Sequence, residues 1–393
     1  MNDTAQLMAT LLAVAVIAVL APLLLGLLPW LRVPQVVLLL LGGMIVGPQL
    51  LAIARPGDVQ PLSDIGLGFV FLLAGYEIDQ RLYRWDAGRR ALLSWVITAV
   101  LAVAVVGGLA ALGAVRSFLP VAIALTTTAF GTLVPILREG GLLEGRLGGF
   151  LLAAGAVGEL LPIVAIALLL GVDSRFVALI ALGGIAVLSA LLSAAPRLVR
   201  AGGRLARVIA EGQHETAQLT LRITVLLLVL LLTVAEQFRL DAVLGAFVAG
   251  MVLRRWAGAS APELESKLDV IGYGFFIPVF FVYSGMTVDL HAIVSAPLRL
   301  LLFFGLLVLV RGVPALLVYR SALTLRERTQ VMLVTATALP LLVALSEIGL
   351  RNGTMLPENA AALVGAGVLS VIVLPTIAVA IHSPGAVRRA AYG

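Results

Sequence analysis

Long apolar runs, separated by short polar stretches, follow one another along almost the whole chain. A helix that crosses a membrane needs about 20 mostly apolar residues. Thirteen runs reach or approach that length: about 5–28, 34–48, 62–78, 90–114, 117–137, 146–171, 175–196, 218–237, 240–254, 267–287, 296–319, 327–349 and 358–382. The pattern therefore predicts an all-α polytopic membrane protein with about 13 transmembrane helices.

Short motifs of the first half recur in the second half, in the same order and at nearly constant spacing. "LSDIGLGFVFLLAGYEID" from Leu62 resembles "LDVIGYGFFIPVFFVYSGMTVD" from Leu268. "TTTA" from Thr126 resembles "TATA" from Thr335, and two further pairs ("LGGMIVG" with "VAGMVLR", "LPIVAIA" with "LPTIAVA") lie on either side. Four ordered matches indicate an internal duplication.

The duplication predicts six helices, one linker helix and six more helices. The first repeat covers about 5–171, the linker helix about 175–196 and the second repeat about 218–382. Because a single helix separates the repeats, the second enters the membrane from the opposite side. Such inverted repeats are typical of secondary transporters, and a duplicated channel is the alternative.

Composition supports a membrane protein and excludes several functions. The chain is 61% hydrophobic and 12% charged, whereas a soluble domain is roughly a quarter charged. The absence of cysteine excludes disulfides and thiolate metal sites. The sequence also lacks a nucleophile with an evident base beside it, so an enzyme is not expected. No cofactor and no metal beyond a transported ion are expected.

The charge distribution predicts topology rather than nucleic-acid binding. With the N-terminus outside, most of the 27 Lys and Arg residues fall in cytoplasmic loops, as the positive-inside rule requires. Thirteen crossings then place the C-terminus in the cytoplasm, and we expect the chain in the cell (inner) membrane. The N-terminus has no basic leader or cleavage site, so we expect the first helix to be retained.

Two helices carry the features of interrupted helices at membrane depth. The fifth contains Thr126, Thr127, Thr128 and Pro135. The twelfth contains Thr335 and Thr337, with Pro340 at the same relative place as Pro135. Neutral oxygens and free helix ends suit a small dehydrated cation. The alternative is that the threonines bond back to their own helices and the prolines only kink them.

Glu159 is the only ionisable residue of "AGAVGELLPIVAIALLL", where a charge costs roughly 2.5–3.5 kcal/mol. Its counterpart in the second repeat is Ile372, so the scaffold does not require the acid. Gly158 is expected to leave room for an ion or water. Arg311, the one base we place near mid-membrane, is the predicted charge partner, with a purely structural salt bridge as the alternative.

These residues predict a mechanism. Arginine keeps its proton, whereas Glu159 can release and take up one. A proton and a monovalent cation would therefore compete for Glu159. When both are absent, Arg311 would balance the negative charge of Glu159. One acid predicts one-for-one, electroneutral exchange. Other acids fall near helix ends, and we expect water at the interface to solvate them, with access funnels as the alternative: Glu77, Asp79, Glu236, Asp269 and Glu347.

The sequence resembles the cation:proton antiporter superfamily, in its Kef-type second branch. The resemblance covers nearly the whole chain and rests on segments such as "FLLAGYEID", "LGAFVAGMVLRR" and "FFIPVFFVYSGMTVDL". It implies an NhaA-like fold with two crossed, broken helices, and a homodimer. It also implies that a core of helices 4–6 and 11–13 moves against a dimerisation part of helices 1–3 and 8–10.

The resemblance also implies a site. Members usually carry Asp-Asp or Asn-Asp where this chain has Gly158-Glu159, so Glu159 corresponds to the essential second acid and Gly158 to a lost position. Arg311 falls where Lys or Arg is common. Residues 1–393 read as a single sodium/hydrogen exchanger membrane domain without the G-x-G-x-x-G of a cytoplasmic nucleotide-binding domain.

Exchange of a monovalent cation for protons is thus the leading interpretation, with sodium ahead of potassium on family habit alone. A gated potassium-efflux pathway without obligatory proton exchange is one alternative. A non-transporting membrane sensor or scaffold is another, and an organic anion symporter on a related fold is a third.

Overall fold

The computed structural model describes residues 3–28, 34–77, 86–113, 118–129, 145–169, 261–295 and 297–382. It also describes isolated positions and short stretches between residues 115 and 143 and between residues 222 and 254. The predicted linker helix over 175–196 and most of the runs over 218–237 and 240–254 lie outside the described residues, as do Pro135, Asp79 and Glu236.

All the regular structure in the described ranges is helical. The helices are α1 (Asp3–Leu27), α2 (Gln35–Val46), α3 (Pro56–Glu77), α4 (Asp86–Ala111), α5 (Phe118–Ala124), α6 (Gly145–Leu169), α7 (Ala261–Ile271), α8 (Ile277–Thr287), α9 (Leu290–Ser295), α10 (Pro297–Leu306), α11 (Val313–Val318), α12 (Leu325–Thr335), α13 (Pro340–Arg351) and α14 (Pro357–His382). Short π-helical segments, Gly272–Phe276 and Leu307–Gly312, connect α7 to α8 and α10 to α11.

The apolar runs of the sequence become membrane-length helices. Within the described ranges, seven helical segments are long and apolar enough to cross a membrane. They are Asp3–Leu27, Asp86–Ala111, Gly145–Ile166, Ser266–Thr287, Pro297–Val318, Leu325–Arg351 and Pro357–Ile381. This confirms the all-α membrane architecture, and thirteen crossings are consistent with it.

The chain divides into two compact units. The first contains Met1–Asp58, Asp79–Pro162 and Phe281–Gly393, and the second contains Val59–Ile78 and Ile163–Phe280. Every candidate site residue lies in the first unit. That unit also contains α1 and α2, so the division into a moving core and a dimerisation part stays a prediction.

Two helices are interrupted in the middle, at the places that the threonine motifs predict. α5 ends at Ala124, and residues 127–129 have no helical assignment. The helix α12 ends at Thr335 and α13 begins at Pro340. Pro340 suits the first turn of a helix because it has no N–H to leave unpaired. The predicted pair of broken helices is therefore confirmed.

Arg311 lies on the π-helical segment Leu307–Gly312. Pro314 follows two residues after this segment. A proline inside a helix removes one backbone hydrogen bond and crowds the carbonyl of the fourth preceding residue, here Val310. A π-bulge accommodates both effects by letting an extra residue into the turn. Arg311 is therefore carried on an irregular turn of the helix.

Candidate functional site

The two unwound stretches are hydrogen-bonded directly to each other. The Ala129 backbone N–H donates to the Thr337 carbonyl at 2.8 Å. The Thr128 hydroxyl donates to the Thr335 carbonyl at 2.7 Å. Backbone groups that the interrupted helices leave free are thus paired across the crossing, as buried polar groups in a membrane require.

The remaining threonine hydroxyls donate to carbonyls of their own helices. Thr126 bonds Ile123 and Thr127 bonds Ala124, at 2.7 and 2.8 Å. Thr335 and Thr337 bond the carbonyls of Val331 and Leu333 in α12 in the same way. These four side chains follow the alternative foreseen from the sequence. Their oxygens keep lone pairs, and a role for them in cation binding stays a prediction.

Arg311 is almost completely buried, with 2% of its surface exposed, and reaches the crossing. Its Nε donates to the Thr128 hydroxyl at 3.0 Å, and its Nη2 approaches the Ala154 carbonyl of α6 at 3.4 Å. Thr128 in turn bonds the last residue of α12, where the helix dipole is negative. The fixed positive charge therefore lies beside the C-terminal end of a broken helix.

Gly158 closes this arrangement from α6. Its carbonyl accepts the Thr128 backbone N–H at 2.9 Å. A Cβ atom at this position would overlap the Arg311 guanidinium and would lie 2.5 Å from Thr128 Oγ1. The expectation that Gly158 leaves room for an ion or water is therefore wrong. The guanidinium fills the space into which a side chain at position 158 would extend.

Glu159 follows directly in α6 and is half-buried, unlike Arg311. It is the next residue after Gly158, whose carbonyl accepts the Thr128 backbone N–H and so joins α6 to the unwound stretch after α5. The hydrogen bonds described for Arg311 go to Thr128 and Ala154, so an ion pair between Arg311 and Glu159 stays a prediction.

The second break is closed by a residue that the sequence reasoning missed. Ser370 Oγ of α14 accepts the Ala338 backbone N–H at 3.1 Å and donates to the Gly367 carbonyl at 2.7 Å. Ser370 precedes Ile372, the counterpart of Glu159, by two residues. The signal that could have identified it is in the sequence, where Ser370 is the one polar side chain between residues 360 and 375; in the structure it is fully buried.

Glu347 differs from its expected environment. Interfacial water was expected to solvate it, but only 6% of its surface is exposed. It forms an ion pair with Arg351 of the next turn, with 2.9 Å between Oε1 and Nε. The burial of Glu347 could not be predicted from the hydropathy of α13, because it depends on neighbouring helices that cover the carboxylate.

Comparison with known proteins identifies the family. A model of the transmembrane sodium/hydrogen exchanger family matches residues 15–382. The chain belongs to the sodium/hydrogen exchanger family. The fold of the chain matches a solved structure of the sodium proton antiporter MjNhaP1 from Methanocaldococcus jannaschii, with a TM-score of 0.67 at 20% identity over 97% of this chain and 98% of that one.

Curated relatives are similar in sequence over most of the chain. It is 27% identical to a putative Na(+)/H(+) antiporter, YjbQ, of Bacillus subtilis over 72% of this chain and 48% of that protein. It is 28% identical to the Na(+)/H(+) antiporter NhaS4 of Synechocystis over 73% of this chain and 75% of that protein. The chain thus spans about half the length of the Bacillus relative.

Proposed function

We propose that this exchanger carries a monovalent cation, sodium first, in one direction and a proton in the other, with Glu159 as the carboxylate that binds each in turn. The observation that carries the proposal is the crossing of two broken helices beside Glu159. The crossing brings a buried guanidinium and the backbone groups of the two breaks together within segments long enough to span a membrane. The names of the relatives, Na(+)/H(+) antiporters, support sodium as the cation.

The charges of the site support one-for-one exchange. Arg311 remains charged because a guanidinium does not lose its proton under ordinary conditions, and its hydrogen bonds hold it in the crossing. Glu159 then has one negative charge to be neutralised, by a proton or by a cation. Each full cycle moves equal charge in both directions, so the exchange is electroneutral.

The assembly and orientation follow the family resemblance. We propose a homodimer in the cell membrane, with the N-terminus outside and the C-terminus in the cytoplasm. The excess of Lys and Arg in the loops assigned to the cytoplasm supports this orientation.

Exchange in proteoliposomes tests the function. Vesicles with an internal pH-sensitive dye and an imposed proton gradient receive sodium or potassium, and a voltage-sensitive dye is read in parallel. We expect sodium to dissipate the gradient in the wild type without a change in voltage. We expect Glu159→Gln to reduce the rate by at least 100-fold, on the order of what loss of an essential proton-transferring group costs.

The matched control is Glu358→Gln, which removes an exposed carboxylate at the start of α14 and should exchange at the wild-type rate. Equal exchange by Glu159→Gln would show that Glu159 is structural. A cation current that persists in Glu159→Gln would identify a gated efflux pathway. No response from either protein would indicate a sensor or scaffold.

A further inference from the structure

Three helices meet at one end of the first unit, where arginine side chains join them. Arg90, near the start of α4, donates to the Val318 carbonyl at the end of α11 at 3.2 Å and to the Ser321 hydroxyl at 2.8 Å. From α12, Arg328 donates to the Leu316 carbonyl at 2.8 Å. These contacts hold the starts of α4 and α12 against the end of α11. We call these five residues the arginine junction.

Two further arginines lie beside the arginine junction. Arg89 precedes Arg90 in α4, and Arg320 precedes Ser321 in the turn after α11. Because the side chains of Arg90 and Ser321 are hydrogen-bonded, Arg89 and Arg320 are attached to neighbouring parts of the surface. Both of their side chains are exposed, and both are long enough to reach a common ligand.

The carboxylates described near the arginine junction are engaged elsewhere. Asp86 pairs with Arg90, with 2.8 Å between Oδ2 and Nε, and Glu327 takes part in the capping box of α12. In the part of the chain that the structure describes, neither Arg89 nor Arg320 forms an ion pair. Two guanidiniums on this surface are therefore available to an anion from outside the chain.

An exposed apolar face extends along the helix from each of these two arginines. On α4, Leu93 and Val96 follow Arg89 by four and seven residues, positions that share one face of a helix. Leu317 precedes Arg320 by three residues, and all three apolar side chains are exposed. The two helices pack against each other, so the apolar faces belong to one pair of adjacent helices.

The two arginines lie at the depth of lipid headgroups. One membrane-length segment begins at Asp86 and another ends at Val318. Arg89 and Arg320 are within three residues of these ends, where apolar segments leave the hydrocarbon region and basic side chains meet lipid phosphates. The guanidiniums and the apolar faces together match the two parts of a phospholipid.

We propose that the arginine junction binds one anionic phospholipid, with its phosphate between Arg89 and Arg320 and its acyl chains along the apolar faces of α4 and α11. A guanidinium binds phosphate oxygens through two parallel hydrogen bonds. A zwitterionic lipid fits less well, because its own ammonium already offsets its phosphate. The apolar faces favour a lipid over a free phosphate ion, since burying them against acyl chains adds to binding.

Native mass spectrometry of the purified full-length chain tests the proposal. The chain is titrated in detergent with phosphatidylglycerol, or with phosphatidylcholine that has the same acyl chains. We expect the wild type to bind the first phosphatidylglycerol more tightly than phosphatidylcholine. In the double variant Arg89→Gln with Arg320→Gln, the Kd for phosphatidylglycerol should rise about 25-fold, because each arginine near an anionic lipid contributes about fivefold. The Kd for phosphatidylcholine should change much less.

Arg299→Gln is the matched control for the single variant Arg320→Gln. Arg299 lies near the start of Pro297–Val318, the segment whose other end contributes to the arginine junction. Both variants remove one positive charge next to the same membrane-length segment. We expect Arg320→Gln to raise the Kd for phosphatidylglycerol about fivefold and Arg299→Gln to leave it unchanged.

Thermal unfolding shows that a loss of binding is not a loss of folding. Without lipid, the double variant should have the Tm of the wild type, because both side chains are exposed and form no ion pair among the described residues. Added phosphatidylglycerol should raise the Tm of the wild type more than that of the double variant, since a ligand stabilises the state that binds it.

Two results would overturn the proposal. One is an equal Kd for phosphatidylglycerol in the wild type and the double variant. The other is inorganic phosphate that displaces the lipid completely and raises the Tm as much, since the arginine junction would then bind a free anion. Neither measurement involves Glu159, so failure here leaves the proposed function untouched.

Discussion

At position 158, the absence of a side chain allows Arg311 to keep its contacts with Thr128 and Ala154. We expect Gly158→Ala to displace the guanidinium, because the added methyl group would overlap it. Overpacking of this kind costs typically about 1–3 kcal/mol. Both the Tm and the sodium-driven exchange rate should therefore fall.

Gly149→Ala is the matched control, because it lies in the same helix and a Cβ there meets nothing within 4 Å. Replacing glycine by alanine inside a helix stabilises it by up to about 1 kcal/mol. A Tm that rises for Gly149→Ala and falls for Gly158→Ala supports the geometry. Equal behaviour of the two variants would contradict it.

Single residues of the site were predictable where their cost in a membrane is high. Glu159 and Arg311 stand out in the sequence because charges are rare in apolar runs. Their contacts were not predictable, since hydropathy indicates membrane depth but not which side chains meet. The filled space at Gly158 and the burial of Glu347 depend on helices distant in sequence.

Among the helices, α14 contributes a serine, Ser370, that caps the second break. The repeat analysis did not assign a role to this residue. Ser370→Ala would leave the Ala338 backbone N–H without its partner. A buried donor left unpaired costs about 1–3 kcal/mol, so we expect a lower Tm measured by thermal unfolding in detergent.

Thr376→Ala is the control for Ser370→Ala. Thr376 is exposed on the same helix, and its hydroxyl bonds only the Ile372 carbonyl of the preceding turn. This variant should unfold within about 0.5 kcal/mol of the wild type, as surface substitutions usually do. An unchanged Tm for Ser370→Ala would show that another group satisfies Ala338.

The breaks themselves were predictable from matching threonine motifs and from Pro340. The π-helical segment that carries Arg311 was not predicted, although Pro314 lies two residues beyond it. A proline in a helical pattern indicates that the helix is not regular there, but the irregularity can be a kink, a break or a π-bulge. The choice among them is made by packing.

For the molecule as a whole, the helices divide by how much of their surface other helices cover. In Leu325–Arg351, which contains the second break, 89% of an 18-residue apolar stretch is buried. The corresponding share is 28% in Asp3–Leu27 and 22% in Asp86–Ala111. The broken segment is therefore shielded by protein, as irregular backbone at membrane depth must be, and the outer helices leave apolar faces for lipid.

The faces of α4 provide a test of this arrangement. Val100 is 66% exposed and Thr98 is fully buried. The chain has no cysteine, so a nitroxide can be placed at Val100→Cys or at Thr98→Cys without background labelling. In lipid vesicles, we expect high accessibility to oxygen and low accessibility to a water-soluble nickel complex at Val100. We expect low accessibility to both at Thr98, and equal profiles at the two positions would contradict the lipid-facing assignment.

The all-helical architecture was predictable at this scale because lipid allows few backbone structures and the apolar runs are long. The duplication that the motifs indicate stays a prediction. The division of the described residues into two units was not predictable, because it depends on packing that no single run encodes.

The close fit of Arg311 against Gly158 also constrains how such a chain changes over generations. The family resemblance implies Asp or Asn at position 158 in other members, and neither side chain can be added here while the guanidinium keeps its present position. A side chain at position 158 requires residue 311 to move or to be shorter, so the effect of one substitution depends on the other. The space that positions 158 and 311 share, and not only ion chemistry, therefore restricts which pairs of residues this chain can combine at the crossing.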